Sequence, residues 1–120
     1  MKWQKITTIP EMKMYNKNFK NIEGIKMYSK VFRNYLQDCN KDALVLPDEY
    51  AMALVGVAHQ FNKALAIYDS RKVIEIIMEN LEIDDIEARD YFEYNIKGSY
   101  VGDNTPLFLD SLDDIILGEL

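Results

Sequence analysis

The spacing of apolar residues changes twice along the chain. Over residues 25–39 they recur at every third or fourth position, which is typical of one face of an α-helix. Two short apolar runs follow, at residues 51–58 and 64–68, and both are interpreted as β-strands. Helical spacing returns from residue 73 to residue 96. This order predicts an α+β fold, in which a small antiparallel sheet of about three short strands packs against three to four helices.

The run at residues 51–58 has two interpretations. Because it is small and apolar throughout, it suits a strand that is covered on both faces. Alanine and methionine favour helices, so the alternative is a helix over residues 48–61. Residues 55–57, Val-Gly-Val, favour the strand, and their glycine indicates a bulge. In the strand interpretation, residues 59–63 form a five-residue hairpin connection with His59 at its tip.

Capping residues predict the helices that follow. Asp69 or Ser70 caps the first, and Asp84 caps the second, with Glu87 at the capping-box spacing. The first helix is predicted to bury Val73, Ile74, Ile77, Met78 and Leu81. The second is predicted to bury Ala88, Tyr91, Phe92, Asn95 and Ile96. Gly98 stands where a left-handed C-terminal cap is expected.

The chain is predicted to form a single domain of residues 1–120, since this length is typical of one hydrophobic core. Residues 1–21 show no clean period and are interpreted as a flexible or partner-ordered arm. Residues 22–41 are predicted to form a basic amphipathic helix. Residues 44–109 form the α+β body, which ends on a third strand, and residues 110–120 form a short C-terminal helix.

Charge is divided unevenly along the chain. Residues 1–41 contain nine basic and three acidic side chains, whereas residues 42–120 contain five basic and seventeen acidic ones. One interpretation is that the basic segment folds against the acidic body, because regions of opposite charge attract. The other is a two-faced molecule whose acidic side repels nucleic acid and meets a basic protein surface.

The densest charge feature is a run of acidic residues in the second half of the chain. It comprises Glu82, Asp84, Asp85, Glu87, Asp90 and Glu93, with Arg89 alone to balance it. Three interpretations are open: a solvated helix face, a divalent-ion site without the usual calcium-loop pattern, and a partner-facing surface that imitates the spaced charge of nucleic acid. Tyr94 and Tyr100 are predicted to be exposed and to extend this surface, since tyrosine suits protein interfaces.

Few residues indicate catalysis. His59 is the only histidine, which excludes a multi-histidine metal site, and the five glycines are too scattered for a phosphate-binding loop. Cys39, the only cysteine, is predicted to be buried on the apolar helix face, and a single cysteine excludes an internal disulfide. We therefore expect no catalytic residue, metal or cofactor, and a cytoplasmic protein without a membrane span.

Several segments between residues 44 and 109 carry a family resemblance. They include Ala66-Ile67-Tyr68-Asp69, Glu87-Ala88, Tyr91-Phe92-Glu93-Tyr94-Asn95, and Gly98-Ser99-Tyr100-Val101-Gly102 leading to Thr105-Pro106. In these segments the chain resembles a family of short, uncharacterised bacteriophage and prophage proteins. The resemblance implies a phage-encoded protein that binds and blocks host machinery, and it transfers no activity or catalytic residue.

The leading hypothesis is a non-catalytic binding protein that inhibits a host defence or nucleic-acid-processing protein through its acidic surface. The expected partner is a host protein with a basic nucleic-acid-binding surface, met in the host cytoplasm; a homodimer is a further expectation. The first alternative is a nucleic-acid-binding accessory protein that contacts phosphates through residues 1–41. The second is a small enzyme that depends on His59.

Overall fold

The computed structural model describes residues 3–6 and 22–118. The interpretation of the N-terminal segment as an arm therefore lies outside the described residues, apart from its first few. There, Ile6 is buried, and the indole Nε1 of Trp3 donates a hydrogen bond to the carbonyl oxygen of Ser99 at 2.8 Å. This short stretch is part of the folded body.

The described residues form an α+β fold, as predicted. The helices are α1 (Ile22–Cys39), α2 (Ser70–Leu81), α3 (Asp85–Tyr91) and α4 (Leu112–Leu117), with a 3₁₀ helix at Asp48–Ala53 and a π-helical segment at Phe92–Lys97. The strands are β1 (Gln4–Lys5), β2 (Leu44–Val45), β3 (Leu54–Gln60), β4 (Lys63–Asp69) and β5 (Leu107–Leu109).

Strand β4 is the centre of a three-stranded sheet. Strand β3 pairs with it in antiparallel orientation on one side, and β5 pairs with it in parallel orientation on the other. The predicted third strand therefore exists but runs parallel, because the chain passes through α2 and α3 before it returns to the sheet. Strands β1 and β2 form a separate antiparallel pair that attaches the N-terminal residues to the body.

The segment between β2 and the hairpin combines the two predicted alternatives. A 3₁₀ helix occupies Asp48–Ala53, and β3 begins only at Leu54. Gly56 forms the predicted bulge, because the register with β4 shifts between Leu54 and Gly56 and the φ angle of Gly56 is +155°. The expectation that this strand is covered on both faces is wrong, since Val55 is 49% exposed.

The β3–β4 hairpin is tighter than predicted. The strands pair as far as Gln60 and Lys63, so the connection is a turn of two residues, Phe61 and Asn62. His59 therefore lies within β3, and the prediction that it occupies the tip is wrong. Phe61 has a φ angle of +55° and is 99% exposed, so the turn places an aromatic residue in a conformation that costs an L-residue about 1–2 kcal/mol.

We expect Phe61→Gly to stabilise the protein by about 0.5–1 kcal/mol, because glycine adopts a positive φ without strain and an exposed phenyl ring contributes no packing. The matched control is Asn62→Gly, since Asn62 is not among the residues with positive φ. That control should lower stability by about 0.5–1 kcal/mol through the entropy of the unfolded chain. Urea denaturation midpoints measure both effects. If the Phe61→Gly variant is less stable than the wild type, the positive φ angle of Phe61 does not destabilise the protein.

Helix α1 is rotated from its predicted orientation. It buries Ser29, Arg33 and Leu36. It exposes three residues of the apolar helix face predicted over residues 25–39, namely Val31, Tyr35 and Cys39. The prediction that Cys39 is buried is therefore wrong. The cause is the Arg33 guanidinium, which forms a buried ion pair with Asp48 at 3.2 Å and so occupies a core-facing position. The side chains of residues 22–28 lie outside the description.

The helix starts match the sequence closely. Asp69, Asp84 and Ser111 each accept a backbone N–H from the first turn of α2, α3 and α4, at 3.0, 2.8 and 3.1 Å respectively. Helix α4 is the predicted C-terminal helix, and residues 119–120 lie outside the description. One helix end differs from the prediction: Leu81, expected in the core, is 49% exposed.

The π-helical segment changes how the third helix ends. Gly98 follows it with a φ angle of −76°, so the predicted left-handed cap is wrong. Glycine is required there for another reason: a Cβ at this position would lie 2.5 Å from the backbone oxygen of Glu93. The wider π turn and the close carbonyl leave no room for a side chain.

The hydrophobic core joins both sheets to α1, α2, α3 and the π-helical segment. Its largest fully buried side chains are Ile6, Leu36, Val45, Leu46, Val73, Ile77 and Ile96. Phe92 packs edge to face against Phe108 of β5, with ring centroids 5.2 Å apart. The inner face of α3 and the π-helical segment is thereby anchored, and the outer face carries the acidic run.

Candidate functional site

The acidic run follows the outer side of α3 and the π-helical segment. Five of its members are exposed: Glu82, Asp84, Glu87, Asp90 and Glu93. Asp85 is partly buried, and Asp84 is held in place by its capping bond to the backbone N–H of Glu87. The helical spacing and the cap therefore leave Asp84, Glu87, Asp90 and Glu93 exposed to solvent.

Two members of the run are neutralised within the fold. Asp85 accepts hydrogen bonds from Arg89 at 2.8 Å and from Arg71 at 3.0 Å, and Glu93 pairs with Lys97 at 3.5 Å. The hydrogen bond from Arg89, with a further one from Arg71, holds the pKa of the Asp85 carboxyl below its ordinary value. The expectation that Arg89 alone balances the run is therefore wrong, since Arg71 and Lys97 share this role.

The remaining exposed carboxylates keep their charge uncompensated. Glu82, Glu87 and Asp90 form no ion pair with any residue that the structure describes. Glu87 and Asp90 are three residues apart on one helix, a spacing at which like charges repel. Over the described parts of the chain, no three His, Cys, Asp or Glu side chains are arranged to hold a metal ion.

Large apolar and aromatic side chains stand beside these carboxylates. Ile86 is 72% exposed and Tyr94 is 83% exposed, and helical spacing puts both on the same outer side as Glu87 and Asp90. Tyr100 is also exposed, as predicted, but it belongs to a different neighbourhood, since its hydroxyl donates to Asp103 at 3.3 Å. We call the group Glu82, Ile86, Glu87, Asp90 and Tyr94 the acidic surface.

A cleft of about 530 Å³ opens along one side of the acidic surface. It is lined by Ser70, Ile74, Asp85, Ile86, Arg89, Phe92, Glu93, Lys97, Asp110 and Gly118. Sequence analysis missed Asp110 and Gly118, because only tertiary folding brings the two ends of the α4 segment beside α3. The hydroxyl of Ser70 is buried in the cleft wall with no hydrogen-bond partner in the described structure.

No family model, no curated protein and no solved structure matches the chain. The resemblance to short phage proteins stays a prediction.

His59 lies at a separate, exposed position. Its ring Nε2 is 3.2 Å from the hydroxyl of Tyr35, and the two rings meet edge to face with centroids 6.2 Å apart. A hydrogen bond with Cys39 raises the pKa of the Tyr35 phenol above its ordinary value. No sequence pattern indicates this pair of side chains, because their contact depends on the orientation of α1.

None of the helices in the described part of the chain combines the length and the hydropathy of a membrane-spanning segment.

Proposed function

We propose that this protein is a non-catalytic binding protein that uses its acidic surface to bind and inhibit a cationic host protein in the cytoplasm of a bacterial host. The cationic partner is of the defence or nucleic-acid-processing class, whose basic surfaces ordinarily meet phosphates. The resemblance to phage proteins supports the host setting, and the charge pattern supports the kind of partner.

One observation carries the proposal: uncompensated carboxylates surround exposed apolar side chains. Glu87 and Asp90 repel each other without an ion pair in the described structure, and Ile86 and Tyr94 expose most of their surface to water. Neither feature stabilises the isolated fold. Both become favourable against a surface that combines basic side chains with an apolar recess, as protein interfaces do.

The direct test is affinity capture from a bacterial host lysate with the tagged full chain. We expect one stoichiometric host protein to be retained at about 0.1 M salt and released as the salt approaches 0.5 M, because contacts between exposed charges are screened. A variant with Glu87→Lys and Asp90→Lys should lose this protein, since both side chains are exposed and hold no structural bond of their own.

The matched control carries the same change in charge elsewhere. Asp38 and Asp42 are exposed acidic residues near the end of α1, and the double substitution Asp38→Lys with Asp42→Lys should retain the partner. Equal capture by both variants would overturn the proposal. Tight, salt-sensitive binding of duplex or single-stranded DNA in a shift assay would instead favour the accessory function assigned to residues 1–41.

A further inference from the structure

Helix α4 is well capped but buries none of its side chains. Ser111 closes its first turn, and Gly118 ends it in the left-handed conformation at φ +70°. A helix of six residues is far too short to be stable through its own hydrogen bonds and normally depends on packing. In the described structure its apolar side chains point to solvent instead: Leu112 is 76%, Ile115 55%, Ile116 78% and Leu117 68% exposed.

The strand before α4 also exposes apolar side chains. Strand β5 exposes Leu107 by 44% and Leu109 by 36%. The residues that flank α4, Asp110 and Gly118, line the cleft together with Ile86 and Phe92. Since Ile86 belongs both to the cleft lining and to the acidic surface, α4 lies beside a cleft that adjoins the acidic surface. We call α4, β5 and this cleft the α4 groove.

Charge indicates what fits the α4 groove. The segment of residues 107–118 holds three acidic side chains, Asp110, Asp113 and Asp114, and no basic one. The basic side chains that line the cleft, Arg89 and Lys97, are paired with Asp85 and Glu93. A second copy that met this face with its own α4 groove would place the same acidic side chains opposite one another, which disfavours such a symmetric dimer. An amphipathic helix with basic residues matches both properties, since its apolar face covers the leucines and isoleucines while its Lys and Arg side chains meet the aspartates.

We infer that the α4 groove binds a basic amphipathic helix of a partner protein. The inference rests on the proposed function and specifies which part of the cationic partner is recognised. The acidic surface then contributes charge next to the groove, and α4 contributes the apolar contact.

The test uses the full chain and a synthetic helical peptide of about eighteen residues. In this peptide leucine recurs at every third or fourth position, and lysine occupies the opposite face of the helix. The control peptide has the same composition in scrambled order, so that it carries equal charge without an apolar face. By fluorescence anisotropy, we expect the amphipathic peptide to bind at least about tenfold more tightly than the scrambled one. Equal affinities would overturn the inference, because only nonspecific charge attraction would remain.

Variants locate the binding site. The double substitution Leu112→Ser with Ile116→Ser should lower the affinity for the amphipathic peptide by about tenfold or more. The melting temperature should stay unchanged, because neither side chain is buried. The control is Val31→Ser with Met52→Ser, which removes two exposed apolar side chains elsewhere and should leave the affinity unchanged. If the α4 variant binds the amphipathic peptide as tightly as the wild type does, the peptide does not bind at α4 and the inference is wrong.

Two further outcomes separate this inference from the proposed function. If sedimentation velocity shows a dimer of the wild-type chain that the α4 variant loses, the occupant is a second copy and the inference is wrong. A second outcome has three parts: capture of a host protein depends on Glu87 and Asp90, the α4 variant retains that protein, and the two peptides bind with equal affinity. In that case the inference fails and the proposed function stands. Peptide binding through α4 without any captured host protein would support the groove and overturn the proposed function.

Discussion

We expect Arg33→Ala to destabilise the protein by about 3 kcal/mol or more at neutral pH, which is the usual cost of breaking a buried ion pair from one side. The Arg33 and Asp48 side chains are each only 10% exposed, and the guanidinium Nη2 donates to the carboxylate at 3.2 Å. A second guanidinium nitrogen donates to the backbone oxygen of Ile6 at 3.4 Å. Alanine would leave Asp48 buried without this cation and would detach Ile6 from α1.

The loss should depend on pH in a defined direction. Burial raises the pKa of the Asp48 carboxyl above its ordinary value, and Arg33 opposes this rise. A raised pKa in the folded state means that the native protein binds the proton more tightly than the unfolded chain, so stability falls as pH rises through that pKa. In Arg33→Ala the opposing cation is gone and the pKa rises further. The penalty should therefore be largest near pH 7 and should shrink as the pH is lowered toward about 4, because protonation of Asp48 removes the unpaired charge.

Denaturant titrations of the wild type and the variant at the two pH values measure this difference. Adding Asp48→Asn to Arg33→Ala should recover about 1–3 kcal/mol at neutral pH, because the unpaired charge is removed. Lys72→Ala, at an exposed position, is the control and should change stability by less than about 0.5 kcal/mol. A penalty that is equal at both pH values would show that Arg33 stabilises the fold through packing alone.

The same ion pair explains which parts of the fold the sequence predicts. Asp69 and Asp84 accept hydrogen bonds from N–H groups three residues away, so a local pattern is enough to locate these caps. The orientation of α1 depends instead on the ion pair between Arg33 and Asp48, which are fifteen residues apart in the sequence. A prediction from apolar periodicity places every charged residue on the solvent side of the helix. For α1 it therefore gives the wrong orientation and wrongly predicts that Cys39 is buried.

The candidate site divides in the same way. Helical spacing predicts the outward position of Glu87 and Asp90 and the exposure of Tyr94, because all three lie on one continuous helical segment. The cleft was beyond prediction, since it forms where Asp110 meets α3, far away in the sequence. The exposed face of α4 was visible as an amphipathic pattern, but the sequence alone does not show that the fold leaves it uncovered.

We expect Gly98→Ala to destabilise the protein by about 2–3 kcal/mol, a cost in the range of overpacked positions. The new Cβ would lie 2.5 Å from the backbone oxygen of Glu93 and 3.2 Å from that of Tyr94. Both oxygens belong to the π-helical segment, whose backbone is held by the core around Ile96, so neither atom moves away as a flexible side chain would. The clash must be relieved by a shift of the chain after the segment.

That shift has a specific reporter, because the only tryptophan of the chain is bonded to the residue after Gly98. The indole of Trp3 donates to the Ser99 oxygen at 2.8 Å, so displacement of Ser99 should expose the ring and move its fluorescence emission to longer wavelength. Gly118→Ala is the matched control: its Cβ meets no atom within 4 Å, and its positive φ costs about 1 kcal/mol without any change in the emission of Trp3. A Gly98→Ala variant with the melting temperature and emission of the wild type would show that the π-helical segment yields to the added methyl group. Since the same segment carries Tyr94 of the acidic surface, such yielding would also mean that the fold does not hold this part of the acidic surface in one shape.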